Sequence, residues 1–486
     1  MGVYKQTGEV EIRERRLSSI TGFHGSLDEL TEKSKHGSLC SSCSKYEQCG
    51  MCSQVASTLT LYVRDSVTIS HAPIGCGLEG ISYAQSGRVN AKGQDRQIHF
   101  LSSNIQEKDT IYGASVKLED AIDEAVSRYD PKVIFILGSC VSGIIGEDLE
   151  TLAAGKEAEH GISILPIYCE GFKSKVWTSG FDATYHAVLK RLVKKPDRRK
   201  PELVNIFNFI GADRLGGLLE RAGLKANYVL PFATVDEVSD MSAAACSASF
   251  CDTLSSYVET VLDEEYGVKR LKSAPPFGLK WTDEWLREIG TYTGKEIEIE
   301  KVIEEEHERI APQLEKYRNI LKGKRAFVVT GDTFAYQIAN VLKDLGMEVS
   351  GIASLHHDQR LDGDEGLNSL DKYRRDWGGD VNAYVCVKQP YQLVKLLEDA
   401  DPDVLICRHP GLESIAIQLG IPVVIEGDKD FGVAYEGIPN LARRIERSIR
   451  TKGFVKNIAE HSKLPYTDWW LDKETTPFYF ENKKEA

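Results

Sequence analysis

Short apolar runs that end in glycine, cysteine or polar residues recur along this 486-residue chain, and segments of helical periodicity lie between them. Clear examples are Val133 to Cys140, Arg325 to Thr330 and Asp403 to Cys407. Strands that alternate with helices pair in parallel, because each right-handed crossover brings the next strand back beside the last. The pattern therefore predicts an α/β fold built on parallel sheets.

Length and composition shifts indicate several domains. A prior of roughly 150 residues per domain predicts two to four of them. The Lys-, Arg- and Pro-rich segment 196–201 is the first candidate linker, and the strand–helix scheme restarts near residue 323. We therefore expect domains over residues 1–200, 201–322 and 323–486. The first 39 residues are charged and weakly patterned, which predicts a surface arm.

Three further segments carry helical patterns. Asp109 to Tyr129 has apolar residues at helical spacing, and a shorter helix is predicted from about Gly143 to Gly155. The stretch from about Asp240 to Tyr266 predicts one long helix that ends before a glycine. That helix would carry Cys246 and Cys251, which are five residues apart and so would not share one stripe of its surface.

Composition and charge narrow the function classes. The net charge of −13 argues against a general nucleic-acid surface, because phosphate backbones attract basic patches. Charged residues, Gly or Pro break every long apolar run, so we expect no transmembrane span and no membrane partner. The first residues contain no apolar signal region. We therefore predict a cytoplasmic protein, whose eleven cysteines would be thiols, metal ligands or catalytic groups.

Several cysteines lie where predicted strands end. The stretch Ser70 to Gly77 puts Cys76 on an irregular turn after a β-like run, Cys140 ends the second strand, and Cys52 lies upstream. Ligands collect at the carboxyl ends of strands in open parallel sheets, and Cys76, Cys140 and the loop after Cys169 all lie at such ends. Separate thiols at strand ends suit a metal cluster better than a disulfide.

Other motifs have plainer explanations. The cysteines between Cys40 and Cys52 resemble a zinc site, but their inner gap is too short. Gly75 to Gly80 matches GxGxxG, although Glu79 would oppose a phosphate. No GxxxxGKS/T motif exists, so we expect no ATP hydrolysis by this chain. The pair His356 and His357 follows a strand and would bind a metal or form a polar loop. Buried thiols are predicted in or beside apolar strands at Cys169, Cys386 and Cys407.

Taken together, these residues resemble the component 1 family of nitrogenase-like reductases, in particular its catalytic α (D-type) subunit. The resemblance covers most of residues 50–450. The matching stretches are His71 to Cys76, Gln106 to Gly113, Cys140 to Asp148, Cys169 to Phe172, Cys251 to Gly267 and Gly323 to Val349. The resemblance implies three Rossmann-like αβα domains with parallel sheets around a buried metallocluster.

The resemblance also implies two iron–sulfur cofactors. In such subunits the first three matching cysteines bind a P-cluster, an [8Fe-7S] electron relay, and these would be Cys52, Cys76 and Cys140, with Cys49 as the alternative to Cys52. The helix cysteine that holds the catalytic cofactor corresponds to Cys251. Thiolates suit iron–sulfur clusters, and a helix is a rigid support for a single ligand.

Departures from molybdenum nitrogenase change the expected chemistry. Gly427 stands where a histidine binds the heterometal, and glycine has no ligand atom. Trp177 and Phe181 stand in the segment where a Gln and a His normally lie beside the cofactor. Residues 330–334 correspond to a glycine loop that normally carries an Arg but contain none, so the pocket also loses positive charge. These changes imply a more apolar pocket and a large [8Fe-9S-C]-type cofactor without molybdenum or vanadium. A second protein ligand would be His356 or His357.

An apolar pocket suits a hydrophobic substrate that is cleaved reductively, whereas dinitrogen reduction needs general acids beside the metal. The chain is most similar to the nitrogenase-like methylthio-alkane reductases, which cleave C–S bonds of small thioethers to methanethiol and a hydrocarbon. The resemblance implies a homologous β (K-type) subunit in an α2β2 heterotetramer and a homodimeric ATP-dependent [4Fe-4S] reductase. The alternative is a scaffold for maturation of the nitrogenase cofactor. A tetrapyrrole reductase is disfavoured by Cys251, and a nicotinamide dehydrogenase would rest on the glycine motif alone.

Overall fold

The computed structural model describes residues 9–11, 19–20, 22–35, 53–77, 98–174, 177–207, 213–230, 233–249, 252–354, 357–358, 369–386, 390–408, 411–427 and 432–471. Over these ranges it is a mixed α/β protein with three larger, mainly parallel sheets and one short antiparallel pair, which confirms the predicted fold class. Among the described helices, none is both long and apolar enough to cross a membrane.

The chain folds into two compact units that are discontinuous in sequence. The first comprises Met1–Arg16, Gln48–Leu271 and Ile289–Glu298, and the second comprises Leu17–Glu47, Lys272–Glu288 and Ile299–Ala486. The predicted domain boundaries near residues 200 and 322 stay predictions.

The helices alternate with strands over most of the described chain. They span Leu27–Lys35, Ser53–Thr60, Asp109–Tyr112, Ser115–Tyr129, Cys140–Ile145, Leu149–His160, Ser179–Arg191, Arg214–Arg221, Val235–Ser239, Asp252–Tyr266, Leu279–Thr293, Glu296–Leu321, Asp332–Asp344, Ser369–Trp377, Pro390–Ala400, Leu412–Gln418, Ala434–Arg450, Lys452–Glu460 and Asp468–Leu471. Short 3₁₀ turns form at Gly171–Lys173 and Asp240–Ala243.

The first unit contains an N-terminal sheet of four parallel strands. Their order across the sheet is Phe100–Ser102, Ser66–His71, Val133–Gly138 and Ser163–Ile167. Every residue of Val133–Gly138 is buried, as expected for a strand that is covered by helices on both faces. The helix predicted from Asp109 to Tyr129 is interrupted at Gly113, whose φ of 88° few other residues would adopt.

The central sheet, also in the first unit, has four parallel strands. Their order is Lys269–Arg270, Ala244–Ser249, Lys200–Phe207 and Lys225–Val229. Helix Ser179–Arg191 packs against the Ser163–Ile167 strand of the N-terminal sheet and against helix Asp252–Tyr266. Nearly all of its residues are buried, so it lies in the core of the first unit.

The prediction of one long helix from Asp240 to Tyr266 is wrong. The segment forms a 3₁₀ turn, the strand Ala244–Ser249 and then helix Asp252–Tyr266. Cys246 therefore lies on a buried strand, not on a helix. Small Ala, Ser and Cys side chains favour no extended pattern by themselves, but pairing with Lys200–Phe207 buries this segment as the next strand of the sheet.

The second unit contains a C-terminal sheet of six strands. Their order is Val423–Ile425, Val404–Cys407, Arg325–Thr330, Glu348–Ser354, Asn382–Cys386 and Gly22–Ser26. The first five strands are parallel, and Gly22–Ser26 pairs antiparallel with Asn382–Cys386 at one edge.

The prediction of a surface arm over the first 39 residues is therefore wrong for residues 22–35. The Gly22–Ser26 strand completes the C-terminal sheet, and helix Leu27–Lys35 follows it. Phe23, Leu27 and Leu30 are buried. The charged composition of this segment obscures its buried face in the sequence, because exposed Asp28, Glu29 and Glu32 alternate with the buried positions.

Candidate functional site

Cys76 and Cys140 lie after the carboxyl ends of adjacent strands. Strands Ser66–His71 and Val133–Gly138 pair in register, with His71 opposite Gly138. Cys140 is the first residue of helix Cys140–Ile145, and Cys76 lies in helical residues 74–77, where its N–H donates to the Pro73 carbonyl over 3.0 Å. Cys76 is an exposed thiol and Cys140 a half-buried one. The topology thus brings both to one edge of the sheet, as the strand pattern predicted.

A buried polar network ties these strand ends together. His71 is fully buried, with Nδ1 2.9 Å from Ser103 Oγ and Nε2 3.3 Å from Glu147 Oε2. Ser139 Oγ donates to the His71 carbonyl over 2.8 Å. Burial lowers the pKa of His71, although the Glu147 carboxylate acts in the opposite direction. The sequence motifs contained His71 and Glu147, but their pairing was not predicted from sequence.

Cys169 follows the third strand end of this sheet. It is fully buried and its Sγ donates to the Gly138 carbonyl over 3.3 Å, which confirms the predicted buried thiol. The neighbouring Glu170 is also buried and pairs with Lys173 at 2.9 Å. Cys407, on the C-terminal sheet, is likewise buried, and burial raises the pKa of its thiol to about 12.

Among the described residues, five exposed apolar side chains lie on the short helices and the 3₁₀ turn that follow the strands of the N-terminal sheet. We call them the carboxyl-edge patch: Ile74, Ile111, Tyr112, Ile144 and Phe172, whose exposures run from 58% to 87%. Large contiguous apolar surfaces are uncommon on monomers and mark interaction sites. This side of the first unit therefore has the composition of a contact surface.

Trp177 and Phe181 form an aromatic pair at the start of helix Ser179–Arg191. Their ring centroids are 5.4 Å apart in an edge-to-face arrangement, a geometry that aromatic rings prefer. Phe181 is buried, and the half-buried Trp177 packs against the same core of the first unit. The pair is therefore an apolar part of the packed core of the first unit.

Two predicted site residues of the second unit are in described positions. His357 is buried in a short strand opposite Ile20, and its Nε2 is 2.7 Å from Ser34 Oγ. It is therefore not on a solvent-facing polar loop. Gly427 follows strand Val423–Ile425, and a Cβ built there would meet no atom within 4 Å. Position 427 therefore has space for a side chain, but glycine offers no ligand atom there.

The charged groups at the carboxyl ends of the C-terminal sheet were not predicted from sequence. The Arg408 guanidinium lies 4.5 Å from the centre of the Phe334 ring, in the segment that was expected to lose positive charge. Glu426 is fully buried and pairs with Arg444 at 2.6 Å. Burial raises the pKa of Glu426, and the Arg444 guanidinium opposes that change.

Several predicted cofactor residues lie outside the described part of the chain. They are Cys49, Cys52, Cys251 and His356. The side chain of Cys386, which was predicted to be a buried thiol, also lies outside the described part. Their roles stay predictions, as do those of Cys76, Cys140, Trp177, Phe181 and His357.

The comparisons with known proteins agree with the fold. The chain matches the family described as "Nitrogenase component 1 type Oxidoreductase" over residues 52–450. Its structure is similar to that of "Nitrogenase Cp1 at pH 6.5", with a TM-score of 0.71 at 19% identity, covering 88% of this chain and 92% of that one.

Two relatives carry different functional names. One is the nitrogenase molybdenum-iron protein alpha chain of Methanosarcina barkeri, 30% identical over 314 residues, which are 61% of this chain and 58% of that protein. The other is the nitrogenase iron-molybdenum cofactor biosynthesis protein NifE of Clostridium pasteurianum, 27% identical over 409 residues, which are 80% of this chain and 84% of that protein. The family match spans most of the sequence, and the chain therefore belongs to the nitrogenase component 1 type oxidoreductases.

Proposed function

We propose that this chain is the catalytic subunit of a nitrogenase-like reductase that cleaves the C–S bond of small methylthio-alkanes. The observation that carries the proposal is the aromatic pair Trp177 and Phe181, held edge to face in the core of the first unit. By resemblance, the same segment normally carries a Gln and a His beside the cofactor. An apolar wall favours a thioether over a substrate that needs repeated proton donation from that wall.

The thiols support an electron relay of the P-cluster type. Cys76 and Cys140, with Cys52 or its alternative Cys49, would hold the [8Fe-7S] cluster. Thiolates are the donor set of such clusters, and two thiols after adjacent strand ends fit that requirement. When bound, the cluster supplies low-potential electrons. The protein's own part is to hold the strand ends, which the His71–Glu147 network does.

Gly427 supports a catalytic cofactor without a heterometal. Its position offers no ligand atom and opens onto free space, so a metal that needs a histidine there would lack it. We propose an [8Fe-9S-C]-type cofactor without molybdenum or vanadium, held by Cys251. A second protein ligand would be His357, whose Nε2 lies 2.7 Å from Ser34 Oγ. His356 is the alternative.

The carboxyl-edge patch supports a partner subunit. Two of its residues, Ile74 and Ile144, lie on the same helical segments as Cys76 and Cys140, and an exposed thiol with apolar side chains on its own segment suits a shared cluster. We propose a homologous β (K-type) subunit there, in an α2β2 heterotetramer. A homodimeric ATP-dependent [4Fe-4S] reductase would supply the electrons, since this chain has no phosphate-binding loop of its own.

The most direct experiment is anaerobic purification of the complex with analysis of iron, molybdenum and vanadium. The complex would then be assayed with its reductase on dimethyl sulfide, 2-(methylthio)ethanol and dinitrogen. We expect iron alone, release of methanethiol and a hydrocarbon, and no ammonia. Stoichiometric molybdenum or vanadium would contradict the all-iron cofactor, and absence of any thioether cleavage would contradict the function.

A substitution at the proposed cofactor ligand tests the site itself. Cys251→Ala removes the thiolate that would hold the cofactor, whereas the proposed P-cluster ligands stay in place. We predict complete loss of C–S cleavage with an unchanged P-cluster signal in electron paramagnetic resonance. Turnover that survives in Cys251→Ala would exclude this residue as the ligand.

The alternative function is a scaffold for cofactor maturation. The similarity to NifE, which covers 84% of that protein's length, supports this alternative. A scaffold must release its cluster, whereas an enzyme retains it. Purified complex would be mixed with cofactor-free nitrogenase. Transfer of the cluster without any thioether turnover would support the scaffold over the reductase.

A further inference from the structure

A line of three polar side chains runs through the core of the first unit to the carboxyl edge of the central sheet. Ser255 Oγ lies 2.7 Å from Ser249 Oγ and 3.0 Å from Glu259 Oε2. Ser255 and Glu259 are one turn apart on helix Asp252–Tyr266. All three residues are buried. The distances are those of hydrogen bonds, so the hydroxyls and the carboxyl form one connected chain.

The outer end of this chain lies where ligands of parallel sheets bind. Ser249 is the last residue of strand Ala244–Ser249 and pairs with Phe207, the last residue of the neighbouring strand. The carboxyl edge of an open parallel sheet is the usual position for a bound group. In sequence, Ser249 precedes Cys251 by two residues.

The inner end is a carboxyl that changes its protonation near neutral pH. Burial raises the pKa of Glu259 to about 7. Arg270 and the Ser255 hydroxyl lower this pKa, but their effects are smaller than that of burial. Arg270 comes from the short strand Lys269–Arg270, and its Nε is 3.7 Å from Glu259 Oε2, which is beyond hydrogen-bond range. The positive guanidinium therefore stabilises the carboxylate that remains after Glu259 loses its proton. At this distance it does not keep Glu259 ionised at every pH. A group of this kind is suited to donate and regain a proton.

We propose that Glu259, Ser255 and Ser249 form a proton path that serves the reaction at the carboxyl edge of the central sheet. The inference rests on the proposed function. Reductive cleavage of R–S–CH₃ to RH and CH₃SH consumes two electrons and two protons. The path supplies one proton, to the leaving thiolate, and solvent water supplies the second, which forms the C–H bond of the hydrocarbon. The electrons come from the ATP-dependent reductase.

Proton transfer along the path balances without a further reagent. The Glu259 proton passes to Ser255 Oγ while the Ser255 proton passes to Ser249 Oγ, and the Ser249 proton passes to the thiolate sulfur. Both serines end neutral and Glu259 ends as a carboxylate beside Arg270. Solvent water then restores its proton through the Arg270 side, where that side chain is 13% exposed.

The first test does not depend on turnover. Infrared difference spectra of the purified full-chain complex would be titrated from acid to mildly alkaline pH, for wild type and for Glu259→Gln. Burial also raises the pKa of the Asp344 and Glu426 carboxyls, so the informative quantity is the wild-type spectrum minus that of Glu259→Gln. We expect this difference to contain a protonated carboxyl band that disappears near neutral pH. A difference spectrum without such a band would overturn the proposal.

The second test uses variants at the middle of the path. Ser255→Ala removes the connecting hydroxyl but leaves Glu259 and Arg270 in place. The matched control is Ser256→Ala on the same helix, since Ser256 is also buried but its hydroxyl contacts no hydrogen-bond partner among the described residues. We expect at least about a tenfold loss of turnover at neutral pH for Ser255→Ala, with iron content and KM unchanged, and no loss for Ser256→Ala.

The pH profile separates a proton path from a structural role. In wild type, turnover should fall as pH rises past the titration of Glu259, and Glu259→Gln should be slow at every pH. Equal activity in Glu259→Gln, or equal losses in the two serine variants, would overturn the path. A wild-type complex that cleaves no thioether would instead overturn the proposed function, while the infrared titration would still decide whether Glu259 exchanges its proton.

Discussion

The buried carboxyl of Glu259 also links folding to pH. Burial raises its pKa from 4.5 to about 7, so between these values the native state holds a proton that the unfolded chain has released. Stability therefore falls as pH rises through this window and stays lower above it. The shift corresponds to roughly 3 kcal/mol.

We predict that Glu259→Gln flattens this dependence. The uncharged amide has no proton to release, so the variant should gain stability relative to wild type as pH rises. Urea unfolding at about pH 5 and about pH 8 would measure the difference. Parallel pH dependences in the two proteins would contradict the assignment of the shift to this residue.

At the scale of elements, strand Gly22–Ser26 and helix Leu27–Lys35 are part of the core of the second unit. Leu30 on helix Leu27–Lys35 is fully buried, and the Gly22–Ser26 strand before it pairs along its whole length with Asn382–Cys386. Removing a buried leucine side chain leaves a cavity as well as losing apolar burial.

We predict that Leu30→Ala destabilises the protein by about 2 to 5 kcal/mol. The control is Ile297→Ala, because Ile297 is 84% exposed and its truncation should change stability little. Chemical denaturation of both variants would provide the comparison. Equal stability of Leu30→Ala and wild type would mean that this helix is not packed as described.

The elements also show which parts of the fold the sequence can predict. Arg325–Thr330 was predicted with its observed bounds, because its apolar run is flanked by a charged turn and a glycine. Ala244–Ser249 was missed because its small side chains carry no β-like pattern. Gly22–Ser26 was missed because its pairing partner is distant in sequence, and only the tertiary structure makes it a strand.

The site shows the same division. Topology predicted that Cys76 and Cys140 would follow converging strand ends, since that depends on strand order alone. The pairing of His71 with Glu147 and the path from Glu259 to Ser249 depend on side-chain directions. A serine and a glutamate four residues apart on the predicted helix were the available signal for the path.

At the scale of the whole molecule, the carboxyl-edge patch predicts assembly. Ile144 is 75% exposed on helix Cys140–Ile145, and a charge within an apolar interface would be desolvated without a partner. We predict that Ile144→Asp weakens binding of the β subunit by at least about tenfold, or roughly 1.4 kcal/mol.

Native mass spectrometry of the purified complex would measure the change. Ile297→Asp is the matched control, since it adds the same charge at another exposed isoleucine, which lies on helix Glu296–Leu321 and is not one of the patch residues. Undiminished tetramer formation by Ile144→Asp would show that the partner binds elsewhere.

The pairing of Gly22–Ser26 with Asn382–Cys386 also affects how the chain folds during synthesis. Strand Gly22–Ser26 leaves the ribosome about 350 residues before its partner. At 5–20 residues per second, that interval is roughly 20 to 70 s. During it the first unit can fold, while the early strand and its helix wait with Phe23, Leu27 and Leu30 uncovered. Nascent chains should therefore bind chaperones at their N-terminal segment until the late strand arrives.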